Sequence, residues 1–309
     1  MKRWLRRLRA RLRRKPSGRP REEATDLALA VPFAEAARVT DHPRLLVHIH
    51  IFHTDLVAEM RACAVHIGAP CDLLLTTDSE VKLEAILREF EGWPHGTATG
   101  KVLPNRGRDI APKLHVLDTL PDNYELVLFL HTKKSESAAF GDQWRKHLLQ
   151  ALSGSPEIVR SILGLFAADP QLGMVLPQTF KPVRIRMGWG AEASLAQKLA
   201  SRLGWQLDLN GTLDFPAGSM FWARPSALAP LCELALRADD FPVESGQFSG
   251  TPAHAIERLF LLLCEQAGFG WCKVDADAHS GTAIPVAAPG DIEAARVRAY
   301  FSVSEVMLR

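Results

Sequence analysis

Cysteine is scarce, and none of it sits where it would do chemistry. Cys63, Cys71, Cys232, Cys264 and Cys272 form an odd set with no CxxC pair. That spacing argues against a structural zinc site and suits reduced thiols in apolar helix and strand contexts, so a cytosolic location is expected. No run of 18 apolar residues occurs, so no membrane-spanning helix is expected. The N-terminus lacks the apolar core of a secretory signal. No internal repeat is visible, and no low-complexity segment occurs after residue 24. Acidic residues are missing altogether from residues 1–21, which hold 11 Lys/Arg; the remainder has 26 basic residues against 35 acidic ones, a net of −9. The overall charge of +2 therefore hides an acidic body with a basic arm.

In that arm, "MKRWLRRLRARLRRKPSGRPR", Trp4, Leu5, Leu8 and Leu12 would share one helical stripe amid arginines. Such a helix suits an anionic membrane surface, each nearby basic residue contributing roughly 1 kcal/mol. A solubilising tail or a nonspecific nucleic-acid arm remains the alternative. The acidic body argues against nucleic acid as the protein's partner. Pro16 and "SGRP" break the helix, which makes residues 1–24 an arm and linker.

Beyond the linker, strand and helix patterns alternate. Hydrophobic content of 47% and charged content of 23% are those of a soluble globular protein. From residue 44, "RLLVHIHIF", "CDLLLTT", "GKVLPN" and "ELVLFLHT" read as strands separated by helices of ten to fifteen residues. That pattern predicts an α/β fold, with a mainly parallel sheet covered by helices on both faces. The second half repeats it less regularly through "GMVLP", "GSMFWAR" and "GWCKVDA". Residues 25–280 are read as one domain and 281–309 as a C-terminal extension.

Ligands of open α/β sheets bind beyond the carboxyl ends of strands, and three polar clusters fall there. In "PNRGRDIAP", Asn105, Arg108 and Asp109 surround the turn at Gly107 and open a helix, where backbone N–H groups and guanidiniums could meet a phosphate or sugar. A plain capped turn, with Asp109 as N-cap, is the competing reading. In "HTKKS", His131, Lys133 and Lys134 come at the end of the most apolar strand. Positive charge placed there would stabilise a departing nucleoside diphosphate, whether a metal or side chains provide it; alternating direction implies that only one lysine faces the site, and solvated lysines beyond a strand end are the competing reading. The third cluster is "FPAGSMFWAR" with "DFPVESGQFSGTPAHAIERL". Gly218 would allow close ligand approach and Trp222 an aromatic face for sugar. His254 and Glu257 share one helix face, and Glu244 suits a general base. Core packing for the aromatics and surface roles for the acids are the alternatives. The excursion 178–191, with Lys181, Arg184, Arg186 and Trp189, is read as a lid or acceptor loop.

In the order "HIHIF", "CDLLLTT", "NRGRDIAP", "LVLFLHTKKS", "FPAGSMFWAR" and "DFPVESGQFSGTPAHAIERL", the chain resembles the rhamnan synthesis protein F family over residues 44–275. The resemblance implies a bacterial surface-polysaccharide glycosyltransferase, building O-antigen, capsule or rhamnan chains on lipid-linked acceptors at the cytoplasmic membrane face. A looser similarity to family 2 glycosyltransferases implies the GT-A fold and sets His131–Lys133 where those enzymes carry acidic metal ligands. The expectation is an inverting transferase moving L-rhamnose from dTDP-rhamnose to a lipid-linked glycan, without a metal cofactor. Glu244 would be its base; Asn105, Arg108 and Asp109 would orient the donor. His131, Lys133 and Lys134 would hold the diphosphate; Gly218, Trp222, His254 and Glu257 would shape the sugar and acceptor pocket. One departure stands out: the family pattern has Asp after "GQ-x", and this chain has Ser249. A noncatalytic glycan-binding or scaffold protein of the same pathway is the alternative that this departure favours.

Overall fold

In the computed structural model, residues 18–35, 43–134, 140–247 and 249–308 are described. Residues 1–17, most of the basic arm, lie outside the described residues. So does the bulk of the helix expected to meet a membrane.

Eleven strands are present among the described residues: β1 (Arg19–Pro20), β2 (Ala28–Ala30), β3 (Leu45–His50), β4 (Cys71–Thr77), β5 (Ala98–Val102), β6 (Leu126–His131), β7 (Leu172–Pro177), β8 (Thr212–Leu213), β9 (Phe221–Ala223), β10 (Gly270–Asp275) and β11 (Ala283–Ile284). Nine form one sheet in the order β11-β2-β10-β7-β9-β6-β3-β4-β5, and β1 pairs with β8. All ladders of the large sheet are parallel except those of β9, which runs antiparallel between β6 and β7.

Strand periodicity explains how this sheet is covered. Successive side chains point to opposite faces, and β6 is buried along its whole length. Leu126, Leu128 and Leu130 enter one core with Leu45, Val47, Ile49, Leu73 and Leu75. Val127 and Phe129 enter the other with Leu46, Met174, Leu176 and Phe221. The helices Val57–Val65, Glu80–Glu89, Gly141–Ser153, Pro156–Ala168 and Ile292–Ala299 supply the first core. Ile110–Thr119, Ala193–Arg202, Pro252–Glu257, Phe260–Gln266 and Val303–Met307 supply the second. The expectation of a mainly parallel sheet with helices on both faces is met.

The order of the strands locates the crevice. From β3 the chain builds outward through β4 and β5, then returns to lay β6 against the other side of β3. The reversal opens a crevice above the carboxyl ends of β3 and β6, where His50 and His131 are paired in register.

Residues 18–24 and 281–308 are more integrated than the sequence suggested. The proposed C-terminal extension supplies β11, which pairs with β2. Its last helix is fastened by Glu265, which accepts from the backbone N–H groups of Val303 and Ser304, each at 2.7 Å. Before residue 24, Arg19–Pro20 is a strand and Arg21 is buried, its guanidinium 4.6 Å from the Phe301 ring centroid. Short strands of two or three residues carry no readable alternation, which is why β1, β2 and β11 escape sequence analysis.

Nor is 178–191 a lid. Trp189 is fully buried, and Arg184 pairs with Asp26 and donates to the Arg21 carbonyl at 2.6 Å. Asp26 also receives Lys273, whose Nζ lies 2.8 Å from Asp26 and 2.8 Å from Asp214. Lys181 reaches Glu23 at 3.1 Å and Arg186 lies 5.8 Å from the Phe140 ring centroid. A segment so tied to the body is framework. All five cysteines are unpaired, and burial pushes the Cys71 thiol up to about 12.

Candidate functional site

At the crevice the ends of β3 and β6 are tied together. Thr132 Oγ1 accepts the backbone N–H of Phe52 at 2.9 Å and of His53 at 3.0 Å. On β3, His50 Nδ1 lies 3.0 Å from Thr76 Oγ1, and burial lowers its pKa to about 3. His131 Nε2 lies 2.8 Å from the Gly218 carbonyl. A carbonyl only accepts, so that nitrogen carries the hydrogen. Burial, against the opposing pull of Asp109, lowers His131 to about 4. The ring is thus neutral near pH 7 and brings no positive charge to a diphosphate, contrary to the role expected of it.

Beneath it lies a buried ion pair that sequence analysis missed. Asp109 immediately precedes the helix Ile110–Thr119, but its side chain makes no capping hydrogen bond. It turns instead toward Lys113, one helical turn on and 1% exposed, and the two carry a direct ion pair. Ser219 Oγ donates to the same carboxylate, and His131 Nε2 lies 3.9 Å away. Burial alone would raise the Asp109 carboxyl. His131 and Lys113, with the hydrogen bonds from Lys113 and Ser219, more than reverse this and hold it well below the usual carboxylate range. The backbone bends to permit the cluster: Gly107 and Arg108 have φ of 66° and 54°, Gly218 and Ser219 of 95° and 47°. A positive φ at a residue other than glycine is uncommon, and two such residues flank this one carboxylate.

The two lysines of "HTKKS" diverge. Lys134 is exposed and bonds Asp55 at 2.5 Å. Lys133 is half-buried, with Nζ 3.8 Å from the Trp144 ring centroid. Among the described residues its ammonium makes no hydrogen bond or ion pair. Burial lowers its pKa, which Glu257 and Asp109 oppose and Arg108 and Lys113 reinforce. Glu257 in turn accepts the Gly218 N–H at 2.8 Å and lies 4.0 Å from Arg258; burial raises its carboxyl. Lys134→Ala is therefore expected to change the rate of any reaction at this site by less than about threefold, as for an exposed pair. Steady-state kinetics on the variant provide the check.

Loops from the first and third clusters are stitched together. Arg106 bridges Val243 in antiparallel register and donates to the Phe241 carbonyl at 3.0 Å. The Glu244 N–H reaches the carbonyl of Asn105, itself exposed, at 3.4 Å. Arg108 lies 3.6 Å from Glu244 and donates to the Gln247 carbonyl. On the helix Pro252–Glu257, His254 Nδ1 lies 2.7 Å from Thr251 Oγ1, and burial lowers it to about 4. Asp109, Lys133, Gly218 and Glu257 thus meet beside His131, with Arg108 and Glu244 linked to them through the 105–108 turn.

Two expected roles are corrected. Trp222 is fully buried between β6 and β7, its indole N–H on the Leu152 carbonyl at 3.1 Å. It fills the core and offers no face to a sugar. Gly218 is needed for its φ of 95° and for packing, since a Cβ there would lie 2.7 Å from Leu148. Both of its backbone polar groups are engaged, so close ligand approach is not its function. The residues that sequence analysis overlooked are Lys113, Ser219, Trp144 and His50. Lys113 stands four residues after Asp109, a spacing that marks a helical ion pair without revealing that it is buried.

Residues 27–269 match the model of "Rhamnan synthesis protein F". Over 236 residues the chain is 39% identical to "Uncharacterized protein WxcX" from each of two strains of Xanthomonas campestris pv. campestris; the match covers 73% of this chain and 32% of each relative. The chain thus spans about a third of those proteins' length. Among solved structures it is similar to the mannosyltransferase PcManGT from Pyrobaculum calidifontis, in complex with GDP-Man and Mn2+, at 16% identity and a TM-score of 0.46, covering 83% of this chain and 61% of that one. It is also similar to 4-diphosphocytidyl-2C-methyl-D-erythritol synthase from Anaerococcus prevotii, at 9% identity and a TM-score of 0.38, covering 83% and 98%. Scores at that level carry no argument about activity. The family match runs from β2 almost to β10 and takes in every residue of the site: this chain belongs to the rhamnan synthesis protein F family.

Proposed function

We propose that the chain is a GT-A-like glycosyltransferase that moves a sugar from a nucleotide donor to a growing glycan in polysaccharide synthesis. The observation that carries this reading is Lys133, a half-buried ammonium with no hydrogen bond or ion pair among the described residues, at the switch point of the sheet. An ammonium held out of water without an anionic partner is poised to receive one. The diphosphate of a nucleotide sugar fits, because its charge grows as the glycosyl bond breaks.

In this reading Asn105, Arg108 and Asp109 border the donor. Asp109 acts from below, holding the turn and Ser219 in place. Glu244 takes the proton of the acceptor hydroxyl. The acceptor oxygen bonds to the anomeric carbon from the opposite face, the bond to the diphosphate breaks, and Lys133 stabilises the departing oxygen. His254 and Glu257 line the acceptor side. The donor is dTDP-rhamnose, a choice that the family's name supports, and the acceptor a lipid-linked glycan. The basic residues of 1–21 would hold the protein on the inner face of the cytoplasmic membrane.

Metal independence is part of the proposal. Asp109, the buried carboxylate at the crevice, already faces Lys113 and Ser219.

Purified protein incubated with a panel of nucleotide sugars and a lipid-linked acceptor tests the reading. Transfer from dTDP-rhamnose is expected, with a rate unchanged by EDTA. A rate that EDTA abolishes and Mn2+ restores would remove the role of Lys133 as the charge partner. Donor binding without transfer would favour a noncatalytic glycan-binding protein, the outcome to which Ser249 points.

A further inference from the structure

We propose that Glu192 is a positioning residue, holding the helix Pro252–Glu257 against the site through Gly250 and Arg258. Glu192 ends a short turn in the segment just after the expected lid and is 1% exposed. Its Oε1 accepts the Gly250 N–H at 2.8 Å, and its Oε2 lies 3.5 Å from Arg258 Nη2. Arg258 then spreads its remaining donors, giving Nε to the Gly188 carbonyl at 2.8 Å and Nη1 to the His254 carbonyl at 2.7 Å. Its guanidinium also lies 5.0 Å from the Phe215 ring centroid. One carboxylate thus fastens the segment 188–192 to both ends of a six-residue helix.

The helix needs such a brace. Its N-cap, Thr251, makes no side-chain capping bond, because its hydroxyl is taken by His254. A helix this short has little intrinsic stability, and the orphan N–H groups of its first turn call for outside partners. Glu192 holds the chain one residue before the N-cap. At the other end Arg258 comes directly after Glu257, the carboxylate that accepts the Gly218 N–H. A buried carboxylate is costly to desolvate, and aliphatic packing would stabilise a core as well. A charged residue here therefore points to placement as its contribution.

The kinetic arm rests on the transferase reading; the structural arm does not. Glu192→Ala and the isosteric Glu192→Gln are compared with wild type by hydrogen exchange of the peptide covering 249–257, by melting temperature and by transfer kinetics. In Glu192→Ala, exchange in that peptide should rise at least about tenfold, the order expected for one lost charged hydrogen bond. Glu192→Gln keeps the acceptor for Gly250 and should recover part of this. The transfer kcat should fall with the donor KM unchanged, since the donor contacts lie on the 105–109 turn and Lys133. Unchanged exchange in both variants overturns the proposal. So does raised exchange with unchanged kcat. If wild type transfers no sugar from any donor, the transferase reading fails alone, and the exchange comparison still decides whether Glu192 holds the helix.

Discussion

Lys133→Ala should slow sugar transfer by about 10²-fold, the loss expected when one preorganised charge partner of a transition state is removed. Of the cations at the crevice, Lys113 is already bound to Asp109, Arg108 to Glu244 and Gln247, and Lys134 to Asp55. Lys133 alone among these four is unspent. Its ammonium is confined by the Trp144 ring, so the charge is in place before the diphosphate forms and costs no reorganisation. The lowered pKa of Lys133 adds a signature. As pH rises, an ammonium with a depressed pKa loses its proton earlier than an ordinary lysine, which titrates near about 10.4. The transfer rate should therefore decline on the alkaline side before that value. Lys133→Arg should remove this decline, because a guanidinium stays charged throughout, at some cost in rate from its different shape. A Lys133→Ala enzyme with wild-type kcat would end the proposed role.

The sheet was legible in the sequence because its central strands are long and apolar, and the helices between them start with readable signals. Ser155, just before Pro156, accepts the N–H of Ile158 at 3.3 Å as an N-cap should. The two- and three-residue strands β1, β2 and β11 offered no such signal. Lys273 shows the limit from another side: in sequence it is one polar residue in an apolar strand, yet it is buried against Asp26 and Asp214, 247 and 59 residues away in the chain. Long-range ion pairs leave no local trace.

The site was legible as a set of loops but not as a set of roles. All three polar clusters converge at the crevice, as their positions after strands implied. What each residue does there depends on direction, which periodicity gives only for side chains inside regular elements. "HTKK" begins at the last residue of β6, so Lys133 and Lys134 lie beyond the strand, where alternation does not say which one turns inward. Trp222 lies inside β9, where both faces are covered, and its aromatic face was lost to the core.

Lys113→Met should lower stability at pH 7 by about 3–5 kcal/mol, the cost of leaving a buried charge without its partner. The side chain that remains fills similar space beside Phe129, so lost packing contributes little, and Asp109 is the source of the penalty. The dependence on pH should also weaken. In wild type the Asp109 carboxyl is held below its unfolded value. Its contribution is thus present in full above the unfolded pKa, about 3.9, and is lost as pH falls through the lower folded value. Without Lys113 the burial that opposes ionisation is less well opposed. His131 and Ser219 still oppose burial, so the folded pKa should rise toward the unfolded one, and the variant should lose less stability than wild type as pH falls below that value, as far as Asp109 is concerned. Adding Asp109→Asn to Lys113→Met removes the stranded charge and should recover most of the loss, since a buried pair replaced as a whole is often close to neutral. Urea unfolding of wild type, single and double variants at pH 7 and pH 3 decides this. If Lys113→Met unfolds at the wild-type urea midpoint at pH 7, the carboxylate at the crevice does not depend on this lysine.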